Sequence, residues 1–306
     1  MYPRRVNTLP IFVISMRSER RKELISDLRE INIGNVEVFQ GVLGTKVADN
    51  EEVFNKKVFN YLHRRNPLEG EIGCALSHFL IYKEVVHRNT PWTLILEDDS
   101  RLNFNYVEEL TSLYDDLQSI DWCNEIPIII HLKQENRPLI AQKISIGGQD
   151  VFRCLTLMSE TNAYLINFKA AQIALKHGLP LHDLADWPRW MSDVNLLTLP
   201  YDIFKVDRTL PSEIGSREAS ESTSKDSYFK VTREKFISAI KVLTYIEAYQ
   251  YKKKTGLDSY FYWMIRQRII RIVARAFGRP YSPGSRVVLI KWFPLNIPST
   301  EEQRIK

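Results

Sequence analysis

Three acids stand in a row, Glu97-Asp98-Asp99, directly after the apolar run Trp92-Thr93-Leu94-Ile95-Leu96. Each carboxylate repels the next, and a buried strand would hold all of them near the core. In open parallel sheets, ligands gather at the carboxyl ends of the strands. A divalent cation would neutralise such a cluster. Mg²⁺ or Mn²⁺ prefers oxygen ligands and binds one or two carboxylates together with substrate phosphates. Such an ion acts as a Lewis acid toward charge developing on a departing diphosphate. The same triplet also suits a solvated acidic turn leading into a helix, whose N-terminus favours carboxylates. Residue types alone do not separate the two.

Other residues can serve the same chemistry. Arg20 or Arg21 can pair with phosphate, or can line a solvated first helical turn. His78, after Ser77, can orient a hydroxyl, ligate a metal, or sit buried and hydrogen-bonded. Asp186, Asp193 and Asp183 are carboxylates able to take a proton from an attacking hydroxyl. Asp186 stands beside Trp187, whose ring offers a platform for a sugar face, although an exposed acid before a turn at Pro188 is the simpler alternative. His131 and His182 are further candidates near a metal.

The elements that must position these groups follow from periodicity. Ile11-Phe12-Val13-Ile14 reads as a strand with Ser15 at its end. Ser18 can cap a helix carrying Leu24, Ile25, Leu28 and Ile31 at helical spacing, and Gly34 fits its exit. Val36 to Phe39 alternates as a second strand. Strand, helix, strand predicts a parallel sheet with helices on its faces. Residues 45–68 are polar and read as a surface excursion with a short helix. A helix is expected over Glu69–Val86, with Leu76, Phe79, Leu80 and Lys83 on one side. Trp92–Leu96 is a buried strand, followed by a helix near Tyr106–Leu117. A strand follows over Ile126–Leu132, with Pro127 near its start. Asn162–Ile166 is a strand leading into a helix from Lys169 that Gly178 can end.

Charge divides the chain. Residues 230–306 carry 16 Lys+Arg against 5 Asp+Glu, a net +11, whereas residues 1–229 carry 26 against 32, a net −6. Phe261, Ile265, Ile269, Ile272 and Ala276 share one helical face, with Arg268, Arg271 and Arg275 alongside. That pattern is a basic amphipathic helix suited to an anionic membrane surface, or to packing on the body or on a second subunit. It carries no nucleic-acid motif, and its arginines share a helix with an apolar stripe, so nucleic acid is not the expected partner. No signal-peptide pattern is visible, and no apolar run reaches the roughly 18–20 residues of a membrane span. Cys74, Cys123 and Cys154 show neither a disulfide framework nor metal-ligand spacing, and Cys74 is expected to pack in the core. The stretch Ser212 to Asp226 is polar and reads as a linker or loop.

The run Gly70-Glu71-Ile72-Gly73-Cys74-Ala75-Leu76-Ser77-His78, followed by the strand ending in Glu97-Asp98-Asp99, resembles glycosyltransferase family 25. That is the family of lipopolysaccharide and lipooligosaccharide glycosyltransferases and collagen galactosyltransferases. Ile11 to Met16 with Arg20-Arg21, Phe39-Gln40-Gly41-Val42, Thr161 to Ile166 with Ala170-Ala171, and Asp186-Trp187 resemble further pieces of it, in order, up to about residue 205.

The resemblance implies an α/β, GT-A-like nucleotide-sugar-binding fold, a mostly parallel sheet flanked by helices, over residues 1–211. A linker at 212–229 and a basic helical region at 230–306 follow it. It implies metal-assisted, inverting transfer, with galactose from UDP-galactose as the first donor and Mn²⁺ or Mg²⁺ as cofactor. In that scheme Asp99 and Glu97 hold the metal, and Ser15, Arg20, Glu97 and Asp98 bind the donor. Asp186 is the base, and His78 and Trp187 meet the acceptor. The acceptor is expected to be a lipid-linked oligosaccharide. The place of action is expected to be the bacterial cytoplasm, peripheral on the inner face of the inner membrane. The rival expectation is a binding protein that keeps the fold without turnover; the intact triplet argues against it.

Overall fold

The structure, a computed structural model, describes residues 9–63, 65–133, 139–154, 161–186, 188–209, 279–280 and 287–289. It opens with β1 (Pro10–Ser15), α1 (Ser18–Glu30) and β2 (Asn35–Gln40). β1 and β2 pair in parallel, Ile11 opposite Val36 and Ser15 opposite Gln40. β3 (Trp92–Glu97) lies parallel on the other side of β1. Ile11–Ile14 is apolar at every position because both faces of the strand are covered. Ile11 and Val13 face one core with Leu24 and Leu28 of α1, while Phe12 and Ile14 face a second core with Ile81 and Val85. β3 divides the same way: Leu94 and Leu96 turn to the first core, Ile95 to the second.

Two local expectations change. The sequence places Ser18 at the cap of α1; the structure places Arg17 there without a side-chain bond, and Ser18 Oγ donates to Glu19 Oε1 at 2.7 Å. Residues 45–68 are more than a surface excursion. They form a turn at Gly44–Lys46 and the helix α2 (Lys56–His63), and Phe54 and Phe59 are buried with Ile72 in a third small core. Two aromatics in a polar stretch have no periodicity to announce them. Gly34 does exit α1 with φ 81, and a Cβ there would lie 2.2 Å from the carbonyl of Leu9, so only glycine fits.

The remaining elements are α3 (Glu69–His87), β4 (Ser100–Leu102), α4 (Val107–Ser119), α5 (Asp121–Glu125), β5 (Ile128–His131), β6 (Leu139–Ile146), β7 (Gln149–Cys154), β8 (Ala163–Asn167), α6 (Phe168–His177), β9 (Asn195–Thr198), β10 (Phe204–Val206), β11 (Arg279–Pro280) and β12 (Val287–Leu289). α3 packs against α6 and is buried on more than one side, Ile72, Ala75, Phe79, Ile81 and Tyr82 among them. The α/β architecture with helices flanking a large central sheet is as the sequence predicts. The sheet has ten strands in the order β11-β12-β6-β7-β9-β5-β8-β3-β1-β2, and β4 and β10 form a separate pair. β8 runs antiparallel to both β3 and β5, which brings the start of β8 beside the end of β3.

The β6–β7 hairpin has no counterpart in the sequence reading, although Gly147-Gly148 (φ 57 and 88) is a hairpin turn signature. Residues 287–289 pair in parallel with β6, so part of the basic region joins the edge of the main sheet as strand. The linker at 212–229 and the expected amphipathic face from Phe261 to Ala276 lie outside the described residues. Among the described residues no helix is long and apolar enough to cross a membrane.

Candidate active site

The acidic triplet lies where β3 runs out. The Glu97 amide donates to the carbonyl of Asn162 (2.8 Å), which holds the end of β3 against the residue before β8. β4 and β10 then pin the chain beyond the triplet, helped by the Asp207 amide donating to the carbonyl of Asp99 (2.7 Å). The three carboxylates are thereby aimed in different directions.

Asp98 turns inward. Ser15 Oγ, at the end of β1, donates to its Oδ2 at 2.8 Å, and Arg20 Nε, in the first turn of α1, donates to its Oδ1 at 2.9 Å. Ser15, Arg20 and Asp98 are all buried. Three of the four residues expected at the donor, Ser15, Arg20 and Asp98, are thus brought together and meet one another. Arg20 also reaches toward Asp99, with its Nη2 3.7 Å from Asp99 Oδ2.

Asp99 is different. Its Oδ1 is buried with no hydrogen-bond partner among the described residues. Burial, then the charges of Glu97 and Asp98, push its carboxyl up to about 7, against the opposing charges of Arg20 and Lys133. A hard divalent cation fits this donor set. It would satisfy the orphaned oxygen and offset the burial and the repulsion that raise the carboxyl. Lys133, just after β5, was not singled out from sequence; it is close enough for its charge to act on Asp99 and Glu97.

Glu97 points toward α3, and the Gly-Glu-Ile-Gly-Cys-Ala-Leu-Ser-His run explains how. A Cβ on Gly73 would lie 2.3 Å from the carbonyl of Val42, so the glycine lets α3 come down onto the turn after β2. Ser77 Oγ accepts from the Val42 amide (2.8 Å) and donates to the carbonyl of Gly73 (2.7 Å), fastening that approach. Glu71 takes a two-pronged pair from Arg65, both at 2.6 Å, and accepts from the Leu68 amide at 2.9 Å, closing the start of the helix. His78 then stands over the end of β3. Its Nε2 is 3.3 Å from Glu97 Oε1 and its Nδ1 is 2.7 Å from the Tyr164 hydroxyl, itself 2.9 Å from the Tyr82 hydroxyl.

His78 is 1 % exposed. With both ring nitrogens engaged, it acts on the site through Glu97, and the expected direct contact with an acceptor is closed off by burial. Burial pushes the Glu97 carboxyl up, but the hydrogen bonds from His78 and Thr161 and the charge of Arg20 outweigh it and hold it below its ordinary value.

Thr161 links the second flank. Its Oγ1 is 3.0 Å from Glu97 Oε1 and 3.1 Å from Asp186 Oδ1, and its amide donates to Asp186 Oδ1 at 3.0 Å. Asp186 is therefore brought to the acidic corner. Burial and the charge of Glu97 raise its carboxyl above the ordinary range, in spite of the Thr161 hydrogen bonds. Asp193 is exposed and pairs with His177 at 3.5 Å, and buried Asp183 lies near His63 and His182. Neither shares Thr161 or Glu97. His131 is buried at the end of β5, near the ring of Tyr164. Trp187 lies outside the described residues.

Sequence reasoning missed Thr161, Tyr164 and Cys74 as members of the site. Thr161 and Tyr164 carry no signal in their types. Cys74 does: it precedes His78 by four residues on a helix, a spacing that puts both on one face. A pocket of about 50 Å³ behind His78, lined by Phe79, Tyr82 and Trp190 among others, is too small for a nucleotide and holds none of the three acids.

Residues 8–182 match glycosyltransferase family 25, described as LPS biosynthesis protein. The mouse procollagen galactosyltransferase 2 is 33 % identical over 129 residues, 40 % of this chain and 21 % of its own length. The human inactive glycosyltransferase 25 family member 3 is 31 % identical over 123 residues, 38 % of this chain and 21 % of its own. The chain thus spans about a fifth of the length of these relatives. A solved glycosyltransferase involved in glycosylation of the major capsid of PBCV-1 aligns with 56 % of this chain and 68 % of its own, at 13 % identity and a TM-score of 0.27. The matched residues contain Ser15, Arg20, His78 and the whole acidic triplet, and this chain belongs to glycosyltransferase family 25.

Proposed function

We propose that this chain is a metal-assisted, inverting glycosyltransferase. In this reading it moves a hexose, galactose from UDP-galactose first, onto a sugar of a lipopolysaccharide or lipooligosaccharide acceptor. The observation that carries the reading is Asp99, whose buried oxygen has no hydrogen-bond partner among the described residues while Glu97 and Asp98 stand beside it. Asp99 and Glu97 would hold Mn²⁺ or Mg²⁺, and the ion would supply Lewis-acid stabilisation of charge on the departing diphosphate.

The chain's own residues do the rest. Ser15 and Arg20 lock Asp98 and so hold the end of β3 in register, and Arg20 and Lys133 add positive charge for the phosphates. Asp186 takes the proton from the attacking acceptor hydroxyl. The oxygen forms its bond to the anomeric carbon as the bond from that carbon to the diphosphate oxygen breaks. The nucleoside diphosphate leaves with the electron pair. Attack from the face opposite the leaving group inverts the centre. A carboxyl raised by burial is a stronger base than an exposed one, which suits Asp186.

The human relative named inactive favours a second reading, a chain that binds a nucleotide sugar without turnover. One assay separates them: release of UDP from several UDP-sugars, with Mn²⁺ and with chelator. Metal-dependent release supports transfer; binding of UDP-sugar with no release under any condition supports the second reading.

The lipid-linked acceptor and the net +11 of residues 230–306 together suggest work at an anionic membrane surface, on the cytoplasmic side of a bacterial inner membrane. Each basic residue near such a surface contributes about 1 kcal/mol. The chain should float with anionic liposomes, and replacement of Arg268, Arg271 and Arg275 by Glu should release it. Flotation indifferent to the reversal and to salt leaves this basic region a packing or oligomerisation role.

A further inference from the structure

We propose that Cys74, His78 and Glu97 form a second metal site, one that takes a soft divalent transition-metal ion, zinc in the first place. It shares Glu97 with the oxygen-lined group at Asp99 and draws its other two ligands from α3. A ligand atom from each of the three residues lies within 4.8 Å of the other two. Cys74 and His78 are four residues apart on α3 and project from successive turns of one face. The end of β3 supplies the third ligand.

The spacing of His78 and Glu97 suits a tetrahedral ion. Two ligand atoms about 2.05 Å from such an ion stand about 3.3–3.4 Å apart, and His78 Nε2 and Glu97 Oε1 are 3.3 Å apart. The outer contacts are those of a metal-bound imidazole: the remaining nitrogen, Nδ1, is hydrogen-bonded to the Tyr164 hydroxyl at 2.7 Å, and Tyr164 is hydrogen-bonded onward to Tyr82. Thr161 Oγ1, 3.0 Å from the same Glu97 oxygen, steadies the carboxylate. In the tautomer that gives Nδ1 the proton, the Nε2 lone pair faces a carboxylate, and a cation between them reconciles the two. His78 is almost fully buried, and Cys74 and Glu97 are partly exposed, which leaves an entry path and a fourth position for water.

Ligand softness sets the choice of ion. A thiolate and an imidazole favour zinc or cobalt over magnesium or manganese. Binding exchanges the thiol proton, lost to solvent, for the ion. It also ties up Glu97, the carboxylate shared with the acidic triplet, so zinc bound here competes with use of Glu97 at Asp99. That inhibitory consequence rests on the transferase reading; the binding itself does not.

The test therefore reads metal binding on the full chain without donor or acceptor. Cobalt(II) titrated into the wild-type protein should give a thiolate-to-cobalt charge-transfer band in the near ultraviolet, and zinc should remove it. The band should be absent in Cys74→Ser and present in Cys123→Ser and Cys154→Ser. Glu97→Gln should weaken cobalt binding by about tenfold or more. A measurement on the unaltered chain runs alongside: zinc, and not magnesium, should slow alkylation of Cys74 by iodoacetamide, followed by peptide mass. A wild-type chain with no thiolate band overturns the site. So does a band that survives Cys74→Ser, cobalt affinity unchanged in Glu97→Gln, or Cys74 alkylation indifferent to zinc.

Discussion

On one flank of the acidic corner, Ser15 and Arg20 answer both oxygens of Asp98. On the other, Thr161 hydrogen-bonds both Glu97 and Asp186, two acids. The first flank matches a buried charge with an opposite charge; the second holds carboxylates close with neutral donors and leaves Asp186 raised. A matched flank fixes geometry, because breaking a buried pair is costly. An unmatched flank keeps a group ready to accept a proton or a cation. Asp99 sits between them, touched by Arg20 at 3.7 Å yet with one oxygen unanswered.

The comparison breaks most sharply at Asp186. Asp186→Asn keeps the acceptor oxygen for Thr161, so the fold should stand, but transfer should fall by about 10²–10⁴-fold. UDP affinity should hardly change, because a base acts on the acceptor. Loss of UDP affinity instead would move Asp186 to the donor side. On the matched flank, Arg20→Met should strand the buried Asp98 charge and cost about 3–5 kcal/mol of stability in urea unfolding. A variant as stable as the wild type would mean that the flanks do not differ as described.

Between the flanks, Asp99→Asn should lower Mn²⁺-dependent turnover by about a hundredfold. Its stability should move the other way. The folded carboxyl of Asp99 is raised to about 7 from an ordinary 3.8, so the wild type loses stability as pH rises through that window. The Asn variant should therefore be at least as stable at pH 8. Near-normal turnover in the folded variant would remove Asp99 from the metal.

The smallest effect concerns His131, whose imidazole burial pushes down to about 4 from 6.5. The unfolded chain then binds a proton that the folded chain refuses, so this contribution is intact above pH 6.5 and is lost as pH falls toward 4. At pH 5 the loss should be about 2 kcal/mol in urea midpoint experiments. His131→Gln should flatten that acid limb, and an unchanged acid limb would place the sensitivity elsewhere.

The order of β1, α1, β2, α3 and β3 was legible from residue pattern alone. Strands buried on both faces read as continuous apolar runs, and helices as spaced ones. The position of the acidic triplet at the end of a buried strand was legible in the same way, but residue types left a cation site and a solvated turn equally open, and the resemblance of the surrounding motifs chose between them. What the pattern could not carry was the pairing of distant residues. Thr161 reaches Glu97 only because β8 runs antiparallel to β3, with Leu96 opposite Ala163. His78 meets Glu97 and Tyr164 only because Gly73 and Ser77 set α3 down on Val42. Asp98 and Asp99 are neighbours of one residue type, yet the fold buries one against Arg20 and leaves an oxygen of the other unanswered. Composition and periodicity determined which residues must be inside and which strand must end in acids. Tertiary structure alone decided which charge meets which, because that depends on contacts between residues far apart in the chain.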